Sequence, residues 1–285
     1  MISKKKYYVL ITGANGFLGQ HLSKFYLEKN FSLILLARSF DEGFKDFLLN
    51  NSNDNNTVDF FICNLLDENT TIKAIDSIKA KYQSINVLIN NAATQEPINY
   101  AEDMDIDDWR RSIELNLNIP VKFSIEMIPL LKKNDFSSII NISGGGATSP
   151  RVQFSAYAAA KSALVRFTEV ISLELEKYNI HVNSIAPGIM PSRMMQDIQS
   201  NEKVNENEKK VADQSLDNAF DIHEVLELFY FLSTKASEGI TGRLISAKWD
   251  NWKYWPNNIE ELKNNDLYTL RRIIAKNKGF NWGDK

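Results

Sequence analysis

The chain contains one cysteine, Cys63, in 285 residues. A single thiol excludes an internal disulfide and any metal site built from several cysteines. It fits a reducing, cytoplasmic compartment. Histidine is almost as scarce. His21, His181 and His223 are scattered, and no spacing suggests a metal site or a Ser-His-Asp triad; His181 falls in a strand-like run, where a structural role is expected. There is no excess of positive charge. The net charge of -3 leaves no basic field to attract nucleic acid. No apolar stretch is long enough to cross a bilayer, so no membrane partner is expected. The start "MISKKKYYVLITGANG" has a short basic segment and a short apolar run that ends in a glycine-rich turn. That pattern reads as a first strand and not as a signal peptide.

What is present is a sizeable core, with 44% hydrophobic residues. Apolar runs "YYVLIT", "SLILLA", "VDFFIC", "INVLIN", "SSIINIS", "IHVNSIA" and "RLISA" alternate with segments of helical spacing such as "GQHLSKFYLEKN" and "YAAAKSALVRFTEVISLELEKYN". Continuous apolar strands separated by helices imply an α/β fold: a single-domain, doubly wound parallel sheet with helices on both faces. A catalytic domain over 1–247 and an aromatic-rich C-terminal extension over 248–285 are expected.

Between the first strand and first helix, "VLITGANGFLGQHL" places Gly13, Gly16 and Gly19. Glycines there permit a tight turn and let backbone N–H groups approach a pyrophosphate at the helix N-terminus. The second strand ends in "LLARS". Arg38 stands there with no carboxylate at Ala37, which favours NADP, with NAD as the alternative, because an arginine can hold the extra phosphate. In "NISGGGATSPRVQFSAYAAAK", Tyr157 and Lys161 lie four apart and so share one helix face.

Several motifs coincide, in order, with the short-chain dehydrogenase/reductase family. "TGANGFLG" resembles its glycine loop, "NNAA" (90–93) its Asn-Asn-Ala-Gly motif, and "WRRSIELNLN" the helix that bears its active-site asparagine. "YAAAK" is similar to its Tyr-x-x-x-Lys, and "NSIAPGIMPSRM" to its Pro-Gly segment. The resemblance spans about residues 7–247 and implies a Rossmann fold. It also implies cofactor contacts from Asn15, Phe17 and Leu18 in the glycine loop, and from Asn64 and Leu65 after the third strand. Asn91, Ala92 and Ala93 would follow, then Pro187, Gly188, Ile189 and Ser192. It assigns catalysis to Tyr157, Lys161 and Asn116, with Lys161 also holding the nicotinamide ribose and Asn116 relaying protons.

Three departures stand out. The G-x-x-G-x-x-G spacing is similar to the family's epimerase and dehydratase branch, which uses tightly bound NAD. Asn64 replaces the usual aspartate. Gly144 replaces the usual serine after "NIS".

Hydride transfer to a carbonyl leaves an alkoxide that needs a proton, and a positioned phenol can supply it. An ammonium near Tyr157 would lower its pKa, and Lys161 is placed to do so. Gly144 cannot donate from a side chain. Ser143 is the candidate donor if the glycines re-aim it through a bulge. The N–H groups of Gly144 to Gly146 are a rival set, and Ser155 and Thr148 are weaker substitutes. Gly144→Ser is expected to be tolerated or activating.

Two segments stay open. "QDIQSNEKVNENEKKVADQS" is either a mobile helix near the site or a solvated one. The rings of Trp249, Trp252, Tyr254 and Trp255 either cover the core or wall a substrate pocket. The function expected is an NAD(P)-dependent oxidoreductase acting on a small carbonyl or secondary alcohol. A resemblance to enzymes of bacterial surface-polysaccharide synthesis points to a sugar or sugar nucleotide. The alternatives are an epimerase or dehydratase, and a cofactor-sensing protein without turnover. The family resemblance implies a homodimer or homotetramer.

Overall fold

The computed structural model describes residues 6–217 and 221–282. The first five residues of the basic start and the last three of the extension lie outside them.

Seven parallel strands form one sheet in the order β3-β2-β1-β4-β5-β6-β7. They are β1 (Tyr8–Thr12), β2 (Ser32–Ala37), β3 (Val58–Ile62), β4 (Val87–Asn90), β5 (Ser137–Ile142), β6 (Ile180–Ala186) and β7 (Leu244–Ser246). Each coincides with one apolar run of the sequence. All residues of β2 and β5 are buried, as strands covered on both faces must be.

The helices are α1 (Phe17–Glu28), α2 (Glu42–Asn51), α3 (Glu68–Lys81), α4 (Ile106–Ile113), α5 (Ile119–Leu131), α6 (Ser155–Leu175), α7 (Arg193–Ser200), α8 (Glu206–Asp217), α9 (Ile222–Leu232) and α10 (Ile259–Asn264). The acidic run before α4 acts as a cap. Asp105 accepts hydrogen bonds from the N–H groups of Asp107 and Asp108 at 2.9 and 3.0 Å, satisfying donors that the first turn leaves open.

One cluster of buried apolar residues joins α1 and α9 to one face of the sheet. A second joins α3, α5 and α6 to the other. The chain order reverses between β1 and β4, and a doubly wound sheet opens its cleft beyond the strand C-termini at such a switch point.

A buried polar chain fixes α6 against this sheet. Asn90 Nδ2 donates to Asn141 Oδ1 (2.8 Å) and Asn141 Nδ2 to Thr168 Oγ1 (2.8 Å). Thr168 Oγ1 in turn meets Ser184 Oγ at 2.9 Å. Bonds of this kind in a dry interior allow one register of helix on sheet. They therefore set where Tyr157 and Lys161 stand.

The aromatic extension folds back on the body. Leu244 N–H on the edge strand donates to Tyr268 O at 2.8 Å, and Leu270 N–H donates to Glu169 of α6 at 2.7 Å. Trp252 and Trp255 are buried, their rings against Phe231 (5.2 Å between centroids) and Tyr268 (4.3 Å). These two tryptophans cover the core, because an indole is too large an apolar surface to leave in water beside one. Trp249 is instead 78% exposed and lies on the cleft described next.

Candidate active site

A cleft of about 1530 Å³ opens at the C-terminal ends of the strands. This exceeds the roughly 300–1,000 Å³ of a single-ligand pocket, which leaves room for a cofactor and a substrate together. Its walls carry Gly13, Asn15, Gly16, Phe17 and Leu18 from the first turn, with Arg38 beside them. Asn64 and Leu65 follow β3, and Asn91, Ala92 and Ala93 follow β4. Ser143 and Tyr157 stand at the centre, and Pro187, Gly188, Ile189 and Ser192 follow β6. Gly19, Asn116 and Lys161 are not on the cleft wall.

The glycine turn is built by close approach. Gly13 has φ +65°, and a Cβ there would lie 2.8 Å from Ala92 Cα. A Cβ on Gly19 would collide with Gly13 O. The N-cap of α1 is Gly16, which brings no side-chain acceptor. The first-turn N–H groups, with Phe17 and Leu18 on the wall, are therefore left to a ligand. Arg38 is exposed at the same end and forms no ion pair among the described residues. Amide donors with a nearby guanidinium are a suitable set for the phosphates of a dinucleotide. Asn91 serves this turn indirectly, because its Nδ2 donates to Thr12 O and Gly13 O, both at 3.0 Å.

Tyr157 and Lys161 lie on the inward face of α6. The phenol is buried, and that burial pushes its pKa up; the Arg151 charge and a hydrogen bond with Gln95 act in the opposite sense. Lys161 is 1% exposed and donates from Nζ to Ile142 O at 2.7 Å. Burial pushes its pKa down to about 7. The sequence led us to expect that the lysine would lower the tyrosine's pKa. In the structure desolvation dominates both groups, since no solvent remains to support either charge.

Gly144 corrects a second expectation. The Tyr157 oxygen occupies the position that a side chain on residue 144 would need, well inside van der Waals contact. Gly144→Ser is therefore expected to displace the phenol. A shift on the order of 1 Å can cost about a hundredfold in rate, and kcat measured beside the parent protein checks this. Parent-like or higher kcat would show that the phenol has room to move.

Ser143 continues the strand, its N–H donating to Ile185 O at 2.7 Å. Its side chain has the parity of Asn141, which faces α6. It reaches the cleft without a bulge, and its buried Oγ has no hydrogen-bond partner among the described residues. Asn116 lies in a π-helical turn, Glu114–Asn118. Its side chain is spent on protein. Oδ1 accepts from Thr94 N–H at 3.2 Å, and Nδ2 donates to Thr94 O and Ser112 O, both at 2.9 Å.

The segment with undecided placement forms α7 and α8, and it closes over the site. Met195, Ile198, Val204 and Ala212 pack in one cluster with Ile98, Phe154 and Tyr157. Arg151 grips Glu208 with three N–O contacts of 2.7 to 3.1 Å. Gln153 Nε2 donates to Lys203 O at 2.7 Å. His181 is structural as expected: its Nε2 accepts from Gly239 N–H at 2.9 Å, and its ring stacks on Phe136.

Sequence reasoning missed Gln95, Arg151 and Glu208. Nothing local marks them, because the three come together only when distant loops meet α8.

Residues 7–203 match the family described as short chain dehydrogenase. The chain is 31% identical over 179 residues to "Uncharacterized oxidoreductase YgcW" of Escherichia coli (strain K12), covering 61% of this chain and 65% of that protein. It is 31% identical over 114 residues to "Dehydrogenase/reductase SDR family member 4" of Homo sapiens, covering 39% of this chain and 41% of that one. The chain thus spans less than two thirds of the length of these curated relatives. The crystal structure of NAD+-bound xylitol dehydrogenase superposes with a TM-score of 0.72 at 22% identity, covering 84% of this chain and 96% of that one.

Proposed function

The chain belongs to the short-chain dehydrogenase family, and from that premise we propose that it is an NADP-preferring oxidoreductase that interconverts a carbonyl and a secondary alcohol. The observation that carries this reading is the buried Tyr157 oxygen. It faces the same cleft as the glycine turn, one helical turn from Lys161.

When bound, the nicotinamide supplies or accepts the hydride. The residues do the rest. The N–H groups at the start of α1 hold phosphate, and Arg38 selects the phosphorylated form of the cofactor. The phenol of Tyr157 gives its proton to the substrate oxygen in reduction and takes it back in oxidation. Lys161, held by Ile142 O with its Nζ 5.7 Å from the ring centroid, places a positive charge near the phenolate when it is protonated. The unpartnered Oγ of Ser143 is available to polarise the substrate carbonyl. Asn116 supports this wall from behind.

A sugar or sugar nucleotide is the substrate class we favour, in polysaccharide synthesis in the cytoplasm. Exposed Trp249 offers a flat apolar face to a sugar ring, with Asp250 and Tyr268 also on the wall to meet hydroxyls. We also propose a homodimer or homotetramer. The extension docks on β7 and α6 as an appendage of the 1–247 domain, which favours the oxidoreductase over an epimerase with a separate substrate domain.

The test is NADPH oxidation with a panel of ketoses, sugar-nucleotide ketones and cyclic ketones. Turnover of any member supports the proposal. Tight cofactor binding with no turnover on the whole panel would favour a cofactor sensor. NADPH is expected to bind more tightly than NADH, because a charge-assisted bidentate contact adds about 1.5–3 kcal/mol. Arg38→Asp should reverse that order, read by cofactor fluorescence titration. Equal or tighter NADH binding by the unmodified protein would refute it.

A further inference from the structure

The C-terminal extension reaches the cleft wall at two places, with Trp249 and Asp250 from its start and Tyr268 from further along. Asp250 belongs to a tight turn at the end of β7. Its Oδ2 accepts from Ser246 N–H at 2.7 Å, and its own N–H donates to Ser246 O at 3.2 Å. Trp249 N–H donates to Ser246 Oγ at 3.2 Å. The turn is tied to β6, where Ala247 N–H donates to Ala186 O at 3.0 Å, next to Pro187 on the same wall. Carboxylate and indole are thus fixed relative to the cleft.

A carboxylate offers about four lone-pair sites, and one of them closes this turn. The other oxygen, Oδ1, has no hydrogen-bond or ion-pair partner among the described residues. The adjacent Lys248 does not supply one. Its Nζ lies 4.6 Å from the Trp249 ring centroid, and it is not on the cleft wall. Asp250 is half-buried, and a partly desolvated charge without a counter-ion is costly unless donors meet it. Tyr268 has φ +59°, which bulky residues rarely adopt. It is held there by Leu244 N–H on its carbonyl and by its ring against Trp255. Backbone strain of this kind gathers where a ligand is clamped.

We propose that Asp250 is the specificity-determining residue of this cleft: its carboxylate accepts from two adjacent hydroxyls of a sugar ring laid on the exposed indole of Trp249. The inference rests on the sugar reading of the substrate given above, and adds the contact that selects it. The apolar face of the ring packs on the indole. Adjacent hydroxyls supply the two uncharged donors that the carboxylate lacks. A cyclic ketone without hydroxyls gains the stacking alone. Asp250 takes no part in hydride or proton transfer.

The experiment is NMR of the full chain with ¹⁵N-labelled tryptophan, with and without saturating NADPH. The Trp249 indole signal is assigned by its loss in Trp249→Phe. The probes are the methyl glycosides of glucose, galactose and mannose, which carry adjacent hydroxyls and no carbonyl to reduce, with cyclohexanol as the control ring. At least one glycoside is expected to shift the Trp249 signal to saturation. Its Kd should rise about ten- to hundredfold in Asp250→Asn, the worth of one hydrogen bond to a charged group, while the cyclohexanol titration stays as in the parent. Asparagine still accepts from Ser246 N–H, so a residue that only closes the turn would leave the glycoside titration unchanged, and that result overturns the proposal. So does a Trp249 signal that none of the glycosides moves. If Asp250→Asn folds poorly, Trp249→Ala at an exposed position decides, because saturation transfer to the glycoside should then be lost; its retention overturns the proposal. In turnover, the ratio of kcat/KM for a ketose to that for cyclohexanone should fall by the same factor in Asp250→Asn. A protein that binds the glycoside through Asp250 yet reduces no carbonyl refutes the oxidoreductase reading and leaves the subsite standing.

Discussion

Tyr157→Phe is expected to lower turnover by about 10²–10⁴-fold, the usual contribution of a positioned acid or base. Its affinity for NADPH should stay close to that of the parent. The hydroxyl is the only atom lost, and it serves the proton and not the cofactor's phosphates. The ring remains packed with Ile98 and Phe154, so Tm should barely move. Steady-state kinetics with a fluorescence titration checks both halves. Retention of most of the activity would remove Tyr157 from the mechanism.

Lys161→Met should separate stability from function. Turnover is expected to fall about as far as in Tyr157→Phe, because the positive end near the phenolate is gone. The cofactor-free protein should nevertheless become more stable at neutral and acid pH. Lysine in an unfolded chain titrates near 10.4, whereas burial holds Lys161 at about 7. Between those values the unfolded chain binds more protons than the folded one, so folding stability rises with pH through that window. Below about 7 the folded protein carries a buried ammonium with one hydrogen bond, to Ile142 O, and the full penalty applies. The gain in Lys161→Met should therefore be largest at the acid end, on the order of 4 kcal/mol, and vanish above pH about 10. Thermal melts of both proteins across pH measure it. A variant less stable than the parent at pH 6 would show that Lys161 is held as a well-supported cation.

The sequence by itself determined the layers of this protein and the outline of its site. "SLILLA" is β2 residue for residue, because a strand buried on both faces has to be apolar almost throughout. Gly13 and Gly19 were legible because only a residue without Cβ fits where Ala92 and Gly13 O approach so closely. Tyr157 and Lys161 were legible because helical spacing is a local property. The tertiary structure decided the rest. Gly144 in the sequence is only a missing hydroxyl; in the fold it is the space that the phenol of Tyr157 fills. Trp252 and Trp255 read the same as Trp249 along the chain, yet two are buried and one faces the cleft. Gln95, Arg151 and Glu208 have no shared spacing. The chain after β4, the loop before α6 and helix α8 bring them to one cleft wall, and the surroundings that each group meets there belong to that meeting and to no single segment.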